Sequence, residues 1–219
     1  LDATKKQQQQ QKLILQVLAH IRTHQFTTMS MEDMAKLMNI SRATLYKYFI
    51  NKEDIFNHFT NGFIQYIEKN RLYLIDEEEK IITNFILVLE QSTLLALLVP
   101  HSFLKQLKDM YPEMYNRLTT VLEERDQQTI SFYQFGTKKG YFRNLNPALI
   151  IQQQQLYETW FDMKFLMKNN LSIHQVLWDF YQLQKEQLLF EKYDNLFDED
   201  LMKHKIDYLS KKISDLLFN

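Results

Sequence analysis

An all-α chain is predicted by three features of the 219 residues. Gly and Pro number three each, so positions that interrupt a helix are scarce. Apolar residues recur at i, i+3, i+4 and i+7 through long stretches. No run shows the strict apolar–polar alternation of a half-buried strand. The length is enough to bury a sizeable core, in one large domain or two small ones. With no Cys, disulfides, thiolate metal sites and a Cys nucleophile are excluded. No apolar run approaches the roughly 18–20 residues of a bilayer span, and no secretory leader is visible. A soluble cytoplasmic protein is therefore expected.

Taken in order, residues 4–11 are a polar, Gln-rich lead-in, frayed or helical, expected outside the core. Its Lys5 and Lys6, with the adjoining Lys12, could approach a polyanion. Residues 13–23 read as a first helix with Ile14, Val17, Leu18 and Ile21 inward. Ser30 then caps a second helix, with Asp33 as a capping-box acid, and Met31, Met34, Ala35 and Met38 form its buried face. Asn39 tolerates the left-handed conformation past a helix end, and Ile40 is a buried turn residue. Ser41 caps a third short helix whose Leu45 and Phe49 face inward. Arg42, Thr44, Tyr46 and Lys47 cannot all share that face, so most point outward. Asn51 and Asp54 repeat the capping pattern. Two short helices joined by a tight turn, the second showing basic, hydroxyl and aromatic groups, suit insertion into a DNA major groove.

The wording of the third helix is more specific than its pattern. Residues 41–56, SRATLYKYFINKEDIF, resemble the recognition-helix signature of the TetR (tetracycline-repressor) family of bacterial transcriptional regulators. Ser41, Ala43, Thr44, Leu45, Tyr46, Tyr48, Phe49, Lys52, Glu53 and Ile55 all fall in place. The resemblance covers about the first quarter of the chain. Gln25 and Asn39 stand where the family often has Gly. Glu32 stands where relatives often carry a polar or basic residue, and a carboxylate there would repel phosphate or accept from a cytosine amino group. Residues 1–60 carry a net charge of +3 and residues 61–219 a net charge of −4, which orients the N-terminal part toward phosphate.

Beyond the motif, residues 52–74 read as a connector helix. Asp76, Glu77, Glu78 and Glu79 suit a helix N-terminus. Residues 80–99 are a strongly apolar helix stopped by Pro100, and residues 102–110 are a short helix. Pro112 opens another that runs to 139, its end bracketed by Gly136 and Gly140. Asn146 and Pro147 cap and start the next helix. That helix carries Leu156, Trp160, Met163 and Met167 on one stripe and Tyr157, Phe161 and Phe165 on another, with Lys164 and Lys168 between. Two apolar stripes exceed what packing on one core needs, so one should face a partner, and the pattern leaves open which. Residues 171–191 and 201–218 are further helices.

The resemblance implies an N-terminal three-helix helix-turn-helix domain (1–58) joined by the connector helix to a larger helical effector-binding and dimerisation domain (59–219). It implies a homodimeric regulator, expected to repress from a palindromic operator on double-stranded DNA, with a small-molecule effector. The expected DNA-binding set is Ser30, Arg42, Ala43, Thr44, Tyr46, Lys47, Tyr48 and Lys52. Phe103, Leu107, Tyr157, Trp160 and Phe161 are candidates for an effector pocket, and Leu156, Trp160, Met163 and Met167 for the dimer interface. No cofactor, metal site or catalytic residue is expected. His20 and His24 are spaced i, i+4 but lack a zinc motif around them, and Glu158 and Asp162 read as a solvated helix face. The competing class is a helical protein-interaction scaffold, which would ignore duplex DNA.

Overall fold

The computed structural model describes residues 3–21, 26–74, 76–154, 156–196 and 198–218. Among these there is no strand. The α-helices are α1 (Ala3–Ile21), α2 (Met31–Leu37), α3 (Arg42–Tyr48), α4 (Lys52–Lys69), α5 (Glu78–Leu98) and α6 (His101–Met110). They continue as α7 (Pro112–Lys139), α8 (Pro147–Gln154), α9 (Tyr157–Trp160), α10 (Met163–Asn169), α11 (Ile173–Leu188) and α12 (Glu199–Phe218). The helices group into two compact units. One comprises Leu1–Lys69, Leu98–Leu122 and Leu216–Asn219, the other Asn70–Leu97 and Glu123–Asp215. The boundary drawn at residue 58 thus falls inside α4, which lies whole in the first unit.

In the first unit α1 packs on α2 and α4, and α2 packs on α3. Leu13, Ile14 and Val17 meet this core together with Met34, Ala35, Met38, Leu45 and Phe49, all buried. Met31 and Ile40, expected inside, are only half-buried. The lead-in is helical and forms the first turns of α1, but Gln10, expected outside the core, is buried. It sits one turn before Leu13 and Ile14, on the same inward face. The inward assignments of Leu18 and Ile21, and the pair His20 and His24, lie outside the described side chains. An aromatic cluster closes the unit. Phe26 stands 4.3 Å from Phe56 and 5.4 Å from Phe103 between ring centroids, and Phe59 meets Phe103 edge-on at 5.0 Å.

In the second unit α5 is the core helix. The connector ends at Lys69 rather than near 74, because α5 side chains capture the carbonyls of the following segment. Gln91 donates to Asn70 O at 2.6 Å and Asn84 to Tyr73 O at 2.7 Å. α5 also corrects the membrane-span expectation. Its 21 residues are long and apolar enough to cross a bilayer by length and composition. The polar residues Gln91, Ser92 and Thr93 lie within it and are buried here. Arg125 of α7 is also buried, donating to Gln91 Oε1 at 3.3 Å, Val88 O at 3.4 Å, Ser92 Oγ and Asp126 Oδ1. Gly136 has no room for a Cβ against the ring of Phe142, and Gly140 takes φ +79° to end α7. The ring of Phe142 sits 5.2 Å from that of Phe132.

The single helix expected from Pro147 is three: α8, α9 and α10. The break has a local cause. Asp162, expected on a solvated helix face, is the N-cap of α10, its Oδ1 accepting from Lys164 N at 2.9 Å and Phe165 N at 3.1 Å. A short carboxylate competes with the helical ladder for these donors and restarts it. Asn170 at φ 52° ends α10, and Ser172 caps α11.

Candidate nucleic-acid interface

Every corner of the α2–α3–α4 segment is held by a side-chain cap. Ser30 Oγ accepts from Asp33 N at 3.2 Å while Asp33 Oδ2 accepts from Ser30 N at 2.9 Å, a complete capping box. The Ser30 hydroxyl and main-chain N–H hold the Asp33 carboxyl below its ordinary value of 3.8. Asn39 takes φ 51°, and Ile40 N returns to Ala35 O at 3.0 Å, which closes α2 in the left-handed manner a tight turn requires. Ser41 Oγ accepts from Thr44 N at 3.1 Å to open α3. Asn51 Oδ1 accepts from Asp54 N at 2.8 Å, and Asp54 Oδ2 accepts from Ile50 N at 2.9 Å, which opens α4.

These caps fix the rotation of α3. Leu45 and Phe49 are buried; Arg42, Ala43, Tyr46 and Lys47 are exposed; Thr44 and Tyr48 are half-buried. The Arg42 guanidinium lies 5.6 Å from the Tyr46 ring centroid, so one turn of the exposed face presents a cation lying on an aromatic ring. Glu32 is paired with Lys36 at 3.0 Å on the outer side of α2, which offsets the charge expected to repel phosphate.

Lys52 is a correction. It was expected at phosphate, but its Nζ donates to Thr27 O at 3.0 Å and Met29 O at 3.1 Å. Burial shifts its ammonium below the ordinary 10.5. Two of its three donors are spent inside the protein, where they tie the start of α4 to the turn that precedes α2. Gln10 was missed altogether. Its Nε2 donates to Tyr48 O at 2.8 Å, at the end of α3, and lies 3.2 Å from His58 Nε2. The spacing of Gln10 with Leu13, Ile14 and Val17 carries the signal, masked by the Gln run around it.

Residues 21–59 match the model of the bacterial regulatory proteins of the tetR family. This segment is a TetR-family DNA-binding domain. The described residues around it are all-α. Two solved structures are similar to this chain. One is a chain from Mesorhizobium loti MAFF303099 assigned to the TetR-family transcriptional regulators, 21% identical, covering 74% of this chain and 84% of that one with a TM-score of 0.41. The other is the fatty acid degradation regulator FadR from Bacillus halodurans, 21% identical, covering 74% and 86% with a TM-score of 0.42. No curated protein matches the chain.

The five candidate pocket residues do not gather in one unit. Phe103 and Leu107 are fully buried in the first, where Phe103 is the hub of the Phe26, Phe56 and Phe59 cluster. Tyr157, Trp160 and Phe161 belong to the second. There Tyr157 packs edge-on against Phe180 at 4.1 Å, and burial pushes its hydroxyl well up. Their aromatic character reflects core packing. The two apolar stripes separate as well. Tyr157 and Phe161 are buried, Trp160 is half-buried, and Leu156, Met163 and Met167 are exposed. Phe165, placed with the first pair by spacing, is exposed, because α10 starts afresh at Asp162 with its own rotation; Leu166 is the residue it buries.

Proposed function

We propose that the chain is a homodimeric, cytoplasmic, effector-responsive repressor that reads a palindromic operator with α3 and has no enzymatic activity. The observation that carries this reading is the rotation of α3, with Leu45 and Phe49 inward and Arg42, Ala43, Tyr46 and Lys47 outward. Arg42, in the first turn, suits a bidentate contact to a guanine edge. Lys47 suits phosphate, and Ser30, Thr44 and Tyr48 supply hydroxyls to phosphate and base edges. Lys52 supports the reading head from within. Residues 1–58 serve DNA binding and residues 59–219 serve effector binding and dimerisation. The exposed Leu156, Met163 and Met167 would face the partner subunit. An effector that binds better to a conformer unsuited to the operator weakens DNA binding by the ratio of its two affinities.

The test is selection from random duplex DNA followed by footprinting. The expected result is two inverted half-sites one or more helical turns apart, with affinity falling steeply as salt rises. A helical scaffold would enrich no sequence and show no such salt dependence.

A further inference from the structure

Gln10, His58 and Asp54 meet where α1, α3 and α4 converge in the first unit, and each contact constrains the next. The Gln10 side chain is buried, and its Nε2 donates to Tyr48 O at 2.8 Å. A main-chain carbonyl only accepts, so this bond fixes the amide with its nitrogen toward the end of α3. The same Nε2 lies 3.2 Å from Nε2 of the half-buried His58. With one N–H given to Tyr48 O, the other remains for the ring. An amide nitrogen has no lone pair to offer, so His58 Nε2 is the acceptor. The ring in this arrangement is neutral, with its proton on Nδ1.

A second partner waits on the same helix. Asp54 Oδ1, one turn earlier on α4, is 3.6 Å from His58 Nε2. A carboxylate also only accepts, so it bonds this nitrogen when the nitrogen carries a proton. The other oxygen of Asp54 stays with Ile50 N at 2.9 Å. Phe49, buried, packs edge-on against the imidazole at 5.7 Å between ring centroids. Among the described residues, Asp54 is the carboxylate within 4.0 Å of the ring. The remaining charged and titratable groups come from the neighbouring helices. α1 carries Lys6 one turn before Gln10, and α3 carries the exposed Lys47 and the Tyr48 phenol. Arg117 of α7 donates to Asn57 and Asn61, which flank His58 on α4.

We propose that His58 is a proton-sensitive latch on the reading head. Neutral, it accepts from Gln10 and completes the tie between α1 and the end of α3. Protonated, its Nε2–H meets the Gln10 donor head-on, so the ring turns to Asp54 and the amide loses its second partner. Gln10 cannot follow by flipping, because its oxygen would then face the Tyr48 carbonyl. Imidazole is the side chain that ordinarily changes charge between about pH 5 and 8. The latch therefore holds at the upper end of that range and opens toward the lower. The latch itself stands without the DNA reading; only its consequence, a weaker hold of α3 on an operator in acid, rests on it.

The test follows the side-chain amide protons of Gln10 by NMR in the full chain, without DNA, across about pH 8 to 5. The exposed Gln7 supplies the reference for intrinsic solvent exchange. Protection of Gln10 relative to Gln7 should fall about fivefold as the His58 ring signals titrate, as the loss of one hydrogen bond would give. In His58→Gln, whose side-chain oxygen accepts but does not titrate, the ratio should stay constant. Asp54→Asn keeps an oxygen for Ile50 N but removes the charge, so protection should persist to lower pH than in the parent. A flat ratio in the parent, an equal fall in His58→Gln, or an Asp54→Asn curve superimposed on the parent's overturns the proposal. The parent measurement needs no substitution, so it decides even where a variant unfolds. Because no DNA is present, none of these results bears on operator recognition.

Discussion

The side-chain amide of Gln10 donates to the main-chain carbonyl of Tyr48 at 2.8 Å, joining the middle of α1 to the end of α3. The carbonyls of a final helical turn have no partner within the helix, and this one is supplied by a residue 38 positions away. Replacing Gln10 by Leu keeps the packing and removes the donor. A loss of about 1–3 kcal/mol is expected for the stranded carbonyl, read as a lower urea midpoint at unchanged slope. A variant as stable as the parent would show that water replaces the amide without cost.

The capping box at α2 makes stability depend on acid pH. The folded-state pKa of Asp33 lies below 3.8, so its contribution is complete above that value and is lost as pH falls through the lower folded value. The stability advantage of the parent over Asp33→Asn should be constant near neutrality and shrink below pH 3.8. Thermal melts of both proteins across that range measure it, and a gap that stays constant to the most acidic point contradicts the assignment.

Three basic residues of the reading head should behave in three ways. Arg42→Ala should cost about 1–3 kcal/mol of operator binding and relax specificity at one position per half-site. Lys47→Ala should weaken all sequences together and reduce the salt slope by about one. Lys52→Met should leave that slope intact and lower thermal stability instead, since its ammonium serves Thr27 O and Met29 O. Binding isotherms at several salt concentrations separate them. A slope change in Lys52→Met would return that residue to the phosphate.

Leu45 is fully buried although Ala43, Tyr46 and Lys47 beside it on α3 are exposed. Leu45→Ala should lose about 2–5 kcal/mol through the cavity it leaves and abolish binding by unfolding. If the variant melts like the parent yet fails to bind, the residue contacts DNA rather than the core.

The exposed stripe of α10 should carry subunit contacts. Met163→Glu and Met167→Glu should give monomers in light scattering that keep their helix content but lose cooperative operator binding. A parent protein that is monomeric at micromolar concentration would remove both the dimer and the inverted repeat.

The helix-turn-helix was legible from residues alone because its determinants are local. Ser30 with Asp33, Asn39, Ser41 with Thr44, and Asn51 with Asp54 each act over three or four positions, and Pro112 and Pro147 mark helix starts through their fixed φ. Periodicity likewise sorted Leu45 and Phe49 from Arg42 and Lys47. What it could not supply was the partner of a polar side chain. Gln10 in a run of glutamines, and Lys52 at a position that reads as phosphate-binding, have environments set by backbone carbonyls brought near only by tertiary packing. The same holds for Phe103, which resembles a pocket aromatic in sequence but is consumed by Phe26 and Phe56. The helix after Pro147 divides because Asp162 can serve either a solvated face or a cap, and apolar periodicity does not distinguish the two. Local hydrogen-bond chemistry is written in short spacings, whereas the choice among satisfactory partners for a long polar or aromatic side chain depends on which distant segments arrive.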